Sequence, residues 1–485
     1  MESLRRFLFS GGSWAVALLL LAGGWMAANF TGNRLPFFGM VAIPLFTWVL
    51  LFQRAVLLPA LVFMIPLSLM VSAGGGAVVN FPSEIILVLL CIIYGGRSVI
   101  TPTLNRKVLL HPIVLLVVIE TAWMFFTAMI SDYPVAGLKR VVIRSGYIFV
   151  FVILLAHWFE QPGRTAWLWI LYAVGCVVPI ITAVVTHAAY NFSPHTAYFV
   201  TKPFFVEHTL YGACLAFLIP ALFIFLMNYR LFGLTGWKPW LLLSVFALVA
   251  LAEVLAFSRA AWISLIGAGF FALLIQLRIR VWILVLGLAA GVSIVWINRD
   301  AIIETISRNE AVSTKGSFSD HLQSVANVQT DASNLERINR WSCAVEMASE
   351  KPITGFGPGS YQFVYGQFQV RRYMTRISTF SGNKGHAHSE LFTSLSETGF
   401  PGMFIYLAVM FTTIGFGLNI IYHAADLLSR KIALAAVLSL STFYIHGFFN
   451  AFLDTDKMAV LVFGAMAVII STWVRMKQTE KYRAQ

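Results

Sequence analysis

Residues 208–228 read HTLYGACLAFLIPALFIFLMN, a stretch of 21 residues without Asp, Glu, Lys or Arg. At about 1.5 Å per residue, a helix of this length crosses the hydrocarbon core of a bilayer, which is about 30 Å thick. Similar runs recur along the 485 residues, of which 59% are hydrophobic and only 11% are charged. Soluble globular proteins carry about 25% charged residues. The sequence therefore excludes a soluble enzyme and predicts an all-α polytopic membrane protein.

Fourteen apolar runs are candidate transmembrane helices, and the two within 36–72 are the least regular. The runs lie near 14–30, 36–52, 55–72, 82–96, 109–130, 142–158, 165–187, 208–228, 240–257, 259–276, 280–297, 398–421, 431–449 and 456–474. We find no repeat at a fixed period and no matching pair of broken helices of the kind that inverted-repeat transporters contain.

Lys and Arg gather at every second junction between these runs. If the amino end with Arg5 and Arg6 is cytoplasmic, the junctions on that side carry Arg54, Arg97, Arg106, Lys107, Arg164, Arg230, Lys238, Arg278, Arg280, Arg430 and Lys431. Cytoplasmic loops of membrane proteins are enriched in these residues. We therefore expect both chain ends to be cytoplasmic. The net charge of +13 follows from this enrichment and does not require a nucleic-acid partner.

One polar segment of about a hundred residues, 298–397, interrupts the hydrophobic pattern and by parity is extracytoplasmic. The predicted organisation is therefore transmembrane helices over 1–297, an extracytoplasmic loop that carries catalytic residues over 298–397, and transmembrane helices with a cytoplasmic tail over 398–485. The loop keeps several large aromatic residues, so we expect most of it to fold.

Within the loop, Ser333 and Glu336 have the spacing of a helix-capping box. Leu335, Ile338, Trp341 and Val345 follow at helical spacing and predict an amphipathic helix near the membrane. Arg337 and Trp341 share one face of it, with Arg340 beside them. These arginines could capture an anion, because a guanidinium matches paired phosphate oxygens. They could equally solvate an interfacial helix or meet lipid headgroups.

His386 and His388 precede the helix that leads into the twelfth span. The residues beneath His388 on that helix are apolar, so an orienting partner must come from elsewhere in the chain. A histidine with an ordinary pKa near 6.5 can act as a general base at neutral pH. A purely structural histidine at a loop-to-helix junction is the alternative. A metal site formed with Glu390 is a weaker one, because two ligands require a third.

Further basic residues are predicted on the same side, against the general charge trend. Arg259 lies at the outer end of a helix, His208 begins the eighth span, and Arg140 and Arg144 flank the sixth. Snorkelling to headgroups would explain Arg259, whereas an anionic substrate would explain the whole cluster. The stretch from Asp454 to Asp456 has the Asp-x-Asp pattern of some metal-dependent glycosyltransferases, although an acidic turn is the simpler interpretation.

The pattern from His388 to Gly402 carries a resemblance to a known family. His388-Ser389, nine residues, then Gly399-x-x-Gly402 is similar to the pattern of the O-antigen ligase-like membrane glycosyltransferases, which include O-antigen ligases, O-antigen and exopolysaccharide polymerases and protein O-oligosaccharyltransferases. The resemblance is strongest over about 205–455. It also covers Ser258-Arg259, Arg337 four residues before Trp341, and the Gly-rich stretch 352–361. Met403 follows Gly402 where ligases favour a small or hydroxyl residue.

The resemblance implies a GT-C-like fold with about 12–14 transmembrane helices in the bacterial inner membrane and an active site on the periplasmic side. It implies a glycan donor carried by undecaprenyl pyrophosphate and, as acceptor, a glycan or lipid A-core. Arg259 and Arg337 would hold the pyrophosphate, and His388 would deprotonate the acceptor hydroxyl. The substrate-binding candidates around them are Arg144, His208, Arg340, Trp341 and His386.

Fixed guanidiniums can stabilise a pyrophosphate leaving group without a metal, so no metal or other cofactor is predicted. Direct displacement by the activated hydroxyl would invert the anomeric centre. Membrane lipids would surround the spans and an apolar surface would hold the polyprenyl tail. A transporter or flippase of lipid-linked or anionic substrates remains the alternative, and would place ionisable residues through the membrane midplane. The sequence leaves the sugar, the linkage and the acceptor open.

Overall fold

The computed structural model describes residues 54–74, 77–100, 104–161, 163–278, 332–369 and 385–483. The chain divides after Leu61, and the packing discussed below is that of the unit from Val62 onward. Nearly all described elements are α-helices. Nine of the described helices are long and apolar enough to cross a membrane. The prediction of an all-α polytopic membrane protein is confirmed.

The helices are numbered here in chain order over the described residues. The first eight are α1 Arg54–Met64, α2 Ser83–Ile100, α3 Arg106–Leu109, α4 Pro112–Met129, α5 Pro134–Tyr147, α6 Leu155–Trp158, α7 Trp167–Ala189 and α8 Ala197–Val200. The others are α9 His208–Met227, α10 Lys238–Leu255, α11 Arg259–Gln276, α12 Ala332–Glu350, α13 Tyr361–Val364, α14 Glu390–His423, α15 Leu427–Gly447 and α16 Asp456–Arg483. A π-helical segment, Ile148–Leu154, joins α5 to α6 into one apolar span.

The predicted span 55–72 is wrong in its second half. Helix α1 ends at Met64, a 3₁₀ turn covers Ile65–Leu67, and strands β1 Leu69–Gly74 and β2 Ala77–Phe81 form an antiparallel hairpin. Pro66 has no backbone N–H to continue a helical ladder, and Ser68 is already extended at φ −67° and ψ 138°. The predicted spans 14–30, 36–52 and 280–297 lie outside the described residues.

Two spans begin earlier than their apolar runs. Helix α5 begins at Pro134, eight residues before the predicted 142, so Arg140 and Arg144 lie inside a helix and not beside its end. Helix α14 begins at Glu390, directly after the His386–Ser389 turn. In both cases polar residues extend the helix because other segments of the chain supply their partners.

Helix α16 is the most buried of the nine candidate spans. It packs against α15, and α15 in turn contacts α9, α11 and α14. Gly212 of α9 lies against Ser258, the residue before α11, and Gly447 of α15 lies against Glu390 of α14. The starts of α9, α11 and α14 and the end of α15 therefore belong to one region, which we call the site end of the bundle.

The described part of the predicted loop has a hydrophobic core of its own. Its members are Cys343, Ala344, Met347, Phe356, Tyr361, Val364, Tyr365 and Ala387. Helix α12 is present as predicted, and the face that it buries against the rest of the protein is not the predicted apolar one. Ile338, Trp341 and Val345 are only half-buried, whereas Glu336 and Arg340 are buried together with the core residues. The charged pair can be buried because Arg340 Nε donates to Glu336 Oε1 at 2.8 Å.

Candidate active site

The turn before α14 presents His388 in a constrained backbone conformation. The φ angle of His388 is +49°, in the left-handed region that residues other than glycine rarely adopt. Its N–H donates to Nδ1 of His386 at 3.1 Å, and the two rings meet edge to face at 4.7 Å. Gly385 has no room for a Cβ, because Nη1 of Arg340 occupies that position. The conformation of the turn is therefore stabilised by the His386 side chain within it and by Arg340 of α12.

Two residues of α12 hold this turn. Arg340 is buried, and its Nη1 donates to the carbonyl of His386 at 3.0 Å. The indole Nε1 of Trp341 donates to the carbonyl of His388 at 3.4 Å. Arg340 and Trp341 are candidates for substrate binding from the sequence, and the structure places their polar groups on the backbone of the histidine turn. They orient His388 through that backbone.

Both histidines of the turn are neutral at physiological pH. Burial, followed by the nearby His386, Arg340 and Arg337, lowers the pKa of His388 to about 2. Burial and the charges of Arg340 and Arg140 lower the pKa of His386 to about 4. Since Nδ1 of His386 accepts a hydrogen bond, its proton lies on Nε2. Nδ1 of His388 is buried and has no hydrogen-bond partner among the described residues.

Arg337 is a positive charge that acts on His388 and on two histidines outside the turn. These two are His208 and His446. His208 also packs its ring against Tyr198 at 4.3 Å. Arg259 opens α11, whose preceding residue Ser258 lies against α9 one turn after His208. The structure thus brings Arg337, His388 and His208 together and places Arg259 at the same end of the bundle.

A second charged cluster lies beside the histidine turn. Arg140 pairs with Glu397 and Asp454, and Arg144 Nη2 lies 3.5 Å from Asp454 Oδ1. Burial alone would raise the pKa of Asp454, but the two arginines together hold it below its usual value. Arg144, predicted to bind substrate, is thus already paired with Asp454 through Nη2. Its Nε and Nη1 have no partner in the described part of the chain.

This cluster surrounds a small polar cavity of about 30 Å³. A water needs about 10–15 Å³, so the cavity has room for one or two waters and not for a sugar. Its charged lining consists of Glu120, Arg140, Arg144, Glu390 and Glu397. A larger cavity of about 270 Å³ lies near His423 and Arg475, at the opposite end of α14 from His388.

The carboxylates of Glu390 and Asp456, which the sequence offers as possible metal ligands, accept hydrogen bonds from groups of the protein. Oε1 of Glu390 accepts the N–H groups of Phe452 and Leu453 at 2.6 and 2.7 Å. Oδ2 of Asp456 accepts the hydroxyl of Ser83 at 2.6 Å. Among the residues that the structure describes, no three His, Cys, Asp or Glu side chains are grouped to hold a metal ion.

Gly399, the first glycine of the Gly-x-x-Gly pattern, forms a packing junction with the Gly-rich stretch, whereas Gly402 lies against Thr398 and Trp123. Gly399 breaks α14 at φ +70° and ψ −174°, and a Cβ there would collide with the carbonyl of Ile353. Phe400 N–H donates to the Pro352 carbonyl at 2.8 Å, and Gly357 N–H donates to the Glu397 carbonyl at 2.8 Å. The Gly-rich stretch 352–361 therefore packs on the helix that carries His388. Ser389 caps that helix by accepting the N–H of Phe392 at 3.4 Å.

Comparison with known families identifies the segment that contains most of this site. Residues 244–407 match the family model described as O-Antigen ligase. Over this segment the chain is similar to the O-antigen ligase family. The segment is about a third of the chain and includes Arg259, Arg337, Arg340, Trp341, His386 and His388, whereas Arg144 and His208 lie before it. A search of curated proteins found no match.

The O-antigen ligase-like match supports an activity of the ligase or polymerase type in a multi-pass membrane protein. Sequence reasoning missed several residues of the site, notably Glu397 and the pair His446 and Asn450. His446 is the last-but-one residue of an apolar helix. The one signal in the sequence that could have marked it as a site residue is a histidine at the end of an apolar run. The sequence marks Asp454 as a possible metal ligand, whereas the structure shows it as the partner of two arginines.

Proposed function

We propose that the protein transfers a glycan from undecaprenyl pyrophosphate to an acceptor hydroxyl at the periplasmic face of the bacterial inner membrane. The observation that carries this proposal is the position of Arg337 one helical turn before Trp341, whose indole holds the carbonyl of the neutral His388, so that the charge of Arg337 acts on that imidazole. A fixed cation beside a neutral base is what the reaction requires, because one group stabilises the leaving pyrophosphate while the other takes the acceptor proton.

In the proposed step the acceptor oxygen attacks the anomeric carbon while its proton passes to His388. The bond between the anomeric carbon and the pyrophosphate oxygen breaks, and the electron pair leaves with undecaprenyl pyrophosphate. Attack opposite the leaving group inverts the anomeric centre. Arg337 and Arg259 stabilise the charge that develops on the pyrophosphate, so no metal enters the step.

In this proposal, binding of the donor also raises the low pKa of His388. At a pKa of about 2 the imidazole is a poor base in the empty site. A bound pyrophosphate would bring negative charge beside it and offset the effect of Arg337 and Arg340, which raises the pKa towards the useful range. The base is therefore strengthened when the donor is in place.

Ionisable residues inside the spans do not favour the transporter alternative. Glu253 lies in the last turn of α10. Glu120 lies midway along α4 and lines the small cavity together with Arg140, Arg144 and Glu397. These four charges form one cluster beside the proposed site, which favours an enzyme.

The test is glycan transfer by the purified protein with lipid-linked glycan in excess chelator. Formation of the transferred product under this condition supports the proposal, and loss of activity with rescue by magnesium or manganese contradicts its metal-independent form. Deleting the gene and sizing the surface polysaccharide then separates the two activity types. Loss of long chains indicates a polymerase, whereas full-length glycan retained on the lipid carrier indicates a ligase.

A further inference from the structure

The last turn of α15 and the segment after it contain two buried polar side chains that the proposed step does not use. His446 is 2% exposed and Asn450 is 3% exposed. Within the described residues, Nε2 of His446 and Nδ2 of Asn450 have no hydrogen-bond partner. A buried polar atom without a partner is costly, and such atoms in a native protein call for an explanation. A ligand that completes their hydrogen bonds would supply one.

Both side chains adjoin the histidine turn. Asn450 follows His446 by one helical turn, with its N–H donating to the His446 carbonyl at 3.1 Å. The Phe452 ring lies 5.7 Å from the ring of His446 and 6.4 Å from that of His386. The charge of Arg337 acts on His446 as it does on His388. The unused polar atoms therefore lie at the site end, beside the proposed base.

An aromatic surface lies next to these polar atoms. Phe448 is 38% exposed, and its ring meets Trp341 edge to face at 5.2 Å. Trp341 also stacks on Phe392 at 5.4 Å. Imidazole and amide groups can exchange hydrogen bonds with hydroxyls, and an exposed aromatic ring can cover an apolar C–H face. A sugar ring presents hydroxyls at its edge and C–H groups on its faces, so it matches both features.

We infer that His446, Asn450 and Phe448 form a sugar-ring subsite that holds the acceptor residue whose hydroxyl faces His388. In this arrangement the amide of Asn450 and Nε2 of His446 bind ring hydroxyls, and Phe448 covers one face of the ring. The inference rests on the proposed function for the identity of the reacting hydroxyl, but the binding of a sugar does not depend on transfer.

The test measures sugar binding without donor. The purified protein in lipid nanodiscs is mixed with methyl glycosides of glucose, galactose, mannose and N-acetylglucosamine, and saturation-transfer NMR gives the affinity of each. Asn450→Leu and His446→Phe should weaken the binding of the preferred glycoside about five- to tenfold, the value of one neutral hydrogen bond. Phe448→Ala should weaken it too. The matched controls Asn228→Leu and Phe404→Ala, which lie away from the site end, should bind as the wild type does.

Thermal unfolding of the same variants separates binding from folding. Because Nδ2 of Asn450 and Nε2 of His446 have no partner within the described residues, the loss of these two atoms breaks no hydrogen bond there, and Asn450→Leu and His446→Phe should unfold at the same temperature as the wild type or higher. Unchanged sugar binding in both variants, a lower unfolding temperature, or no saturation transfer to any glycoside in the wild type would overturn the subsite. Sugar binding that the variants lose, in a protein that transfers no glycan, would overturn the proposed function and leave the subsite standing.

Discussion

At His388, burial and the nearby Arg337 and Arg340 keep the imidazole neutral before substrate arrives. The adjacent His386 has a different task, because its Nδ1 holds the N–H of His388. Arg340 and Trp341 then hold the carbonyls of the same two histidines. Four side chains within this small region thus divide into one proposed base, His388, and three groups that hold its backbone.

We expect His388→Ala to lower turnover by roughly 10²–10⁴-fold, the usual contribution of positioned proton transfer. His386→Asn should cost far less, because an amide oxygen can accept the N–H of His388 in place of Nδ1. His423→Ala, at the far end of α14, serves as the control and should transfer glycan at the wild-type rate. The measurement is transfer of purified lipid-linked glycan. An unchanged rate in His388→Ala would end its assignment as the base.

The pH dependence follows from the lowered pKa of His388. With a pKa of about 2, the imidazole of the free protein stays neutral as pH falls from 8 to 5. Because kcat/KM reports the free protein, it should not decrease through protonation of His388 in this pH range. In contrast, kcat reports the complex, in which bound pyrophosphate raises the pKa of His388, so kcat should decrease as the pH is lowered. Steady-state kinetics at several pH values checks this. A limb near pH 6.5 in kcat/KM that His388→Ala removes would contradict it.

Arg337→Lys and Arg259→Lys should each lower transfer by about 10²–10³-fold, as expected when a preorganised donor to developing charge is lost. A lysine keeps the charge but cannot contact two phosphate oxygens with one planar group. Arg230→Lys is the control because it is exposed and follows α9 at the end opposite His208. Near-normal transfer by both Lys variants would mean that the arginines serve lipid headgroups.

At the level of elements, the junction between α14 and the stretch 352–361 sets the position of the histidine turn. Gly399→Ala should destabilise the protein by about 1–3 kcal/mol for its backbone conformation alone, with a further cost from the Ile353 carbonyl. Gly415→Ala in the same helix meets no atom within 4 Å and should be neutral or stabilising. Thermal unfolding in detergent compares the two. Equal unfolding temperatures would show that the junction does not constrain α14.

The pairing of Asp454 changes one expectation from the sequence. From the sequence alone, an acidic turn that binds no metal predicts that Asp454→Asn together with Asp456→Asn leaves activity intact. In the structure, Asp454 compensates Arg140 and the buried Arg144. Removal of its charge leaves buried cations without a counter-charge, which is destabilising. Chelation is therefore a cleaner test of metal dependence than this double substitution.

For the whole molecule, the alternating basic junctions predict that the loop with α12 faces away from the cytoplasm. In a variant whose four native cysteines are replaced, Ser349→Cys should react with an impermeant thiol reagent in intact spheroplasts, because Ser349 is exposed at the end of α12. Arg230→Cys is the matched control on the predicted cytoplasmic side and should be protected. The opposite labelling pattern would refute the predicted orientation.

Much of the fold could be predicted because lipid imposes a local rule. A backbone inside a bilayer must satisfy its own hydrogen bonds, so an apolar run of sufficient length becomes a helix. The runs near 165–187 and 208–228 correspond to α7 and α9 within two residues at each end. The rule failed at 55–72, where Pro66 and the strand residues after it end the helix. It also placed the starts of α5 and α14 late, because charged residues there are neutralised by distant partners.

The sequence by itself determined the class of protein, the helix that His388 precedes and the glycine pair that follows it. These depend on local periodicity, chain length and short motifs. Only the tertiary structure decided that Arg140 pairs with Asp454 across 314 positions, that Arg340 holds the histidine turn, and that the ring of His446 lies 5.7 Å from that of Phe452. Such contacts leave no periodic signal in the chain. The lowered pKa of His388 is likewise a property of burial and neighbouring charge, and exists only when the helices have packed.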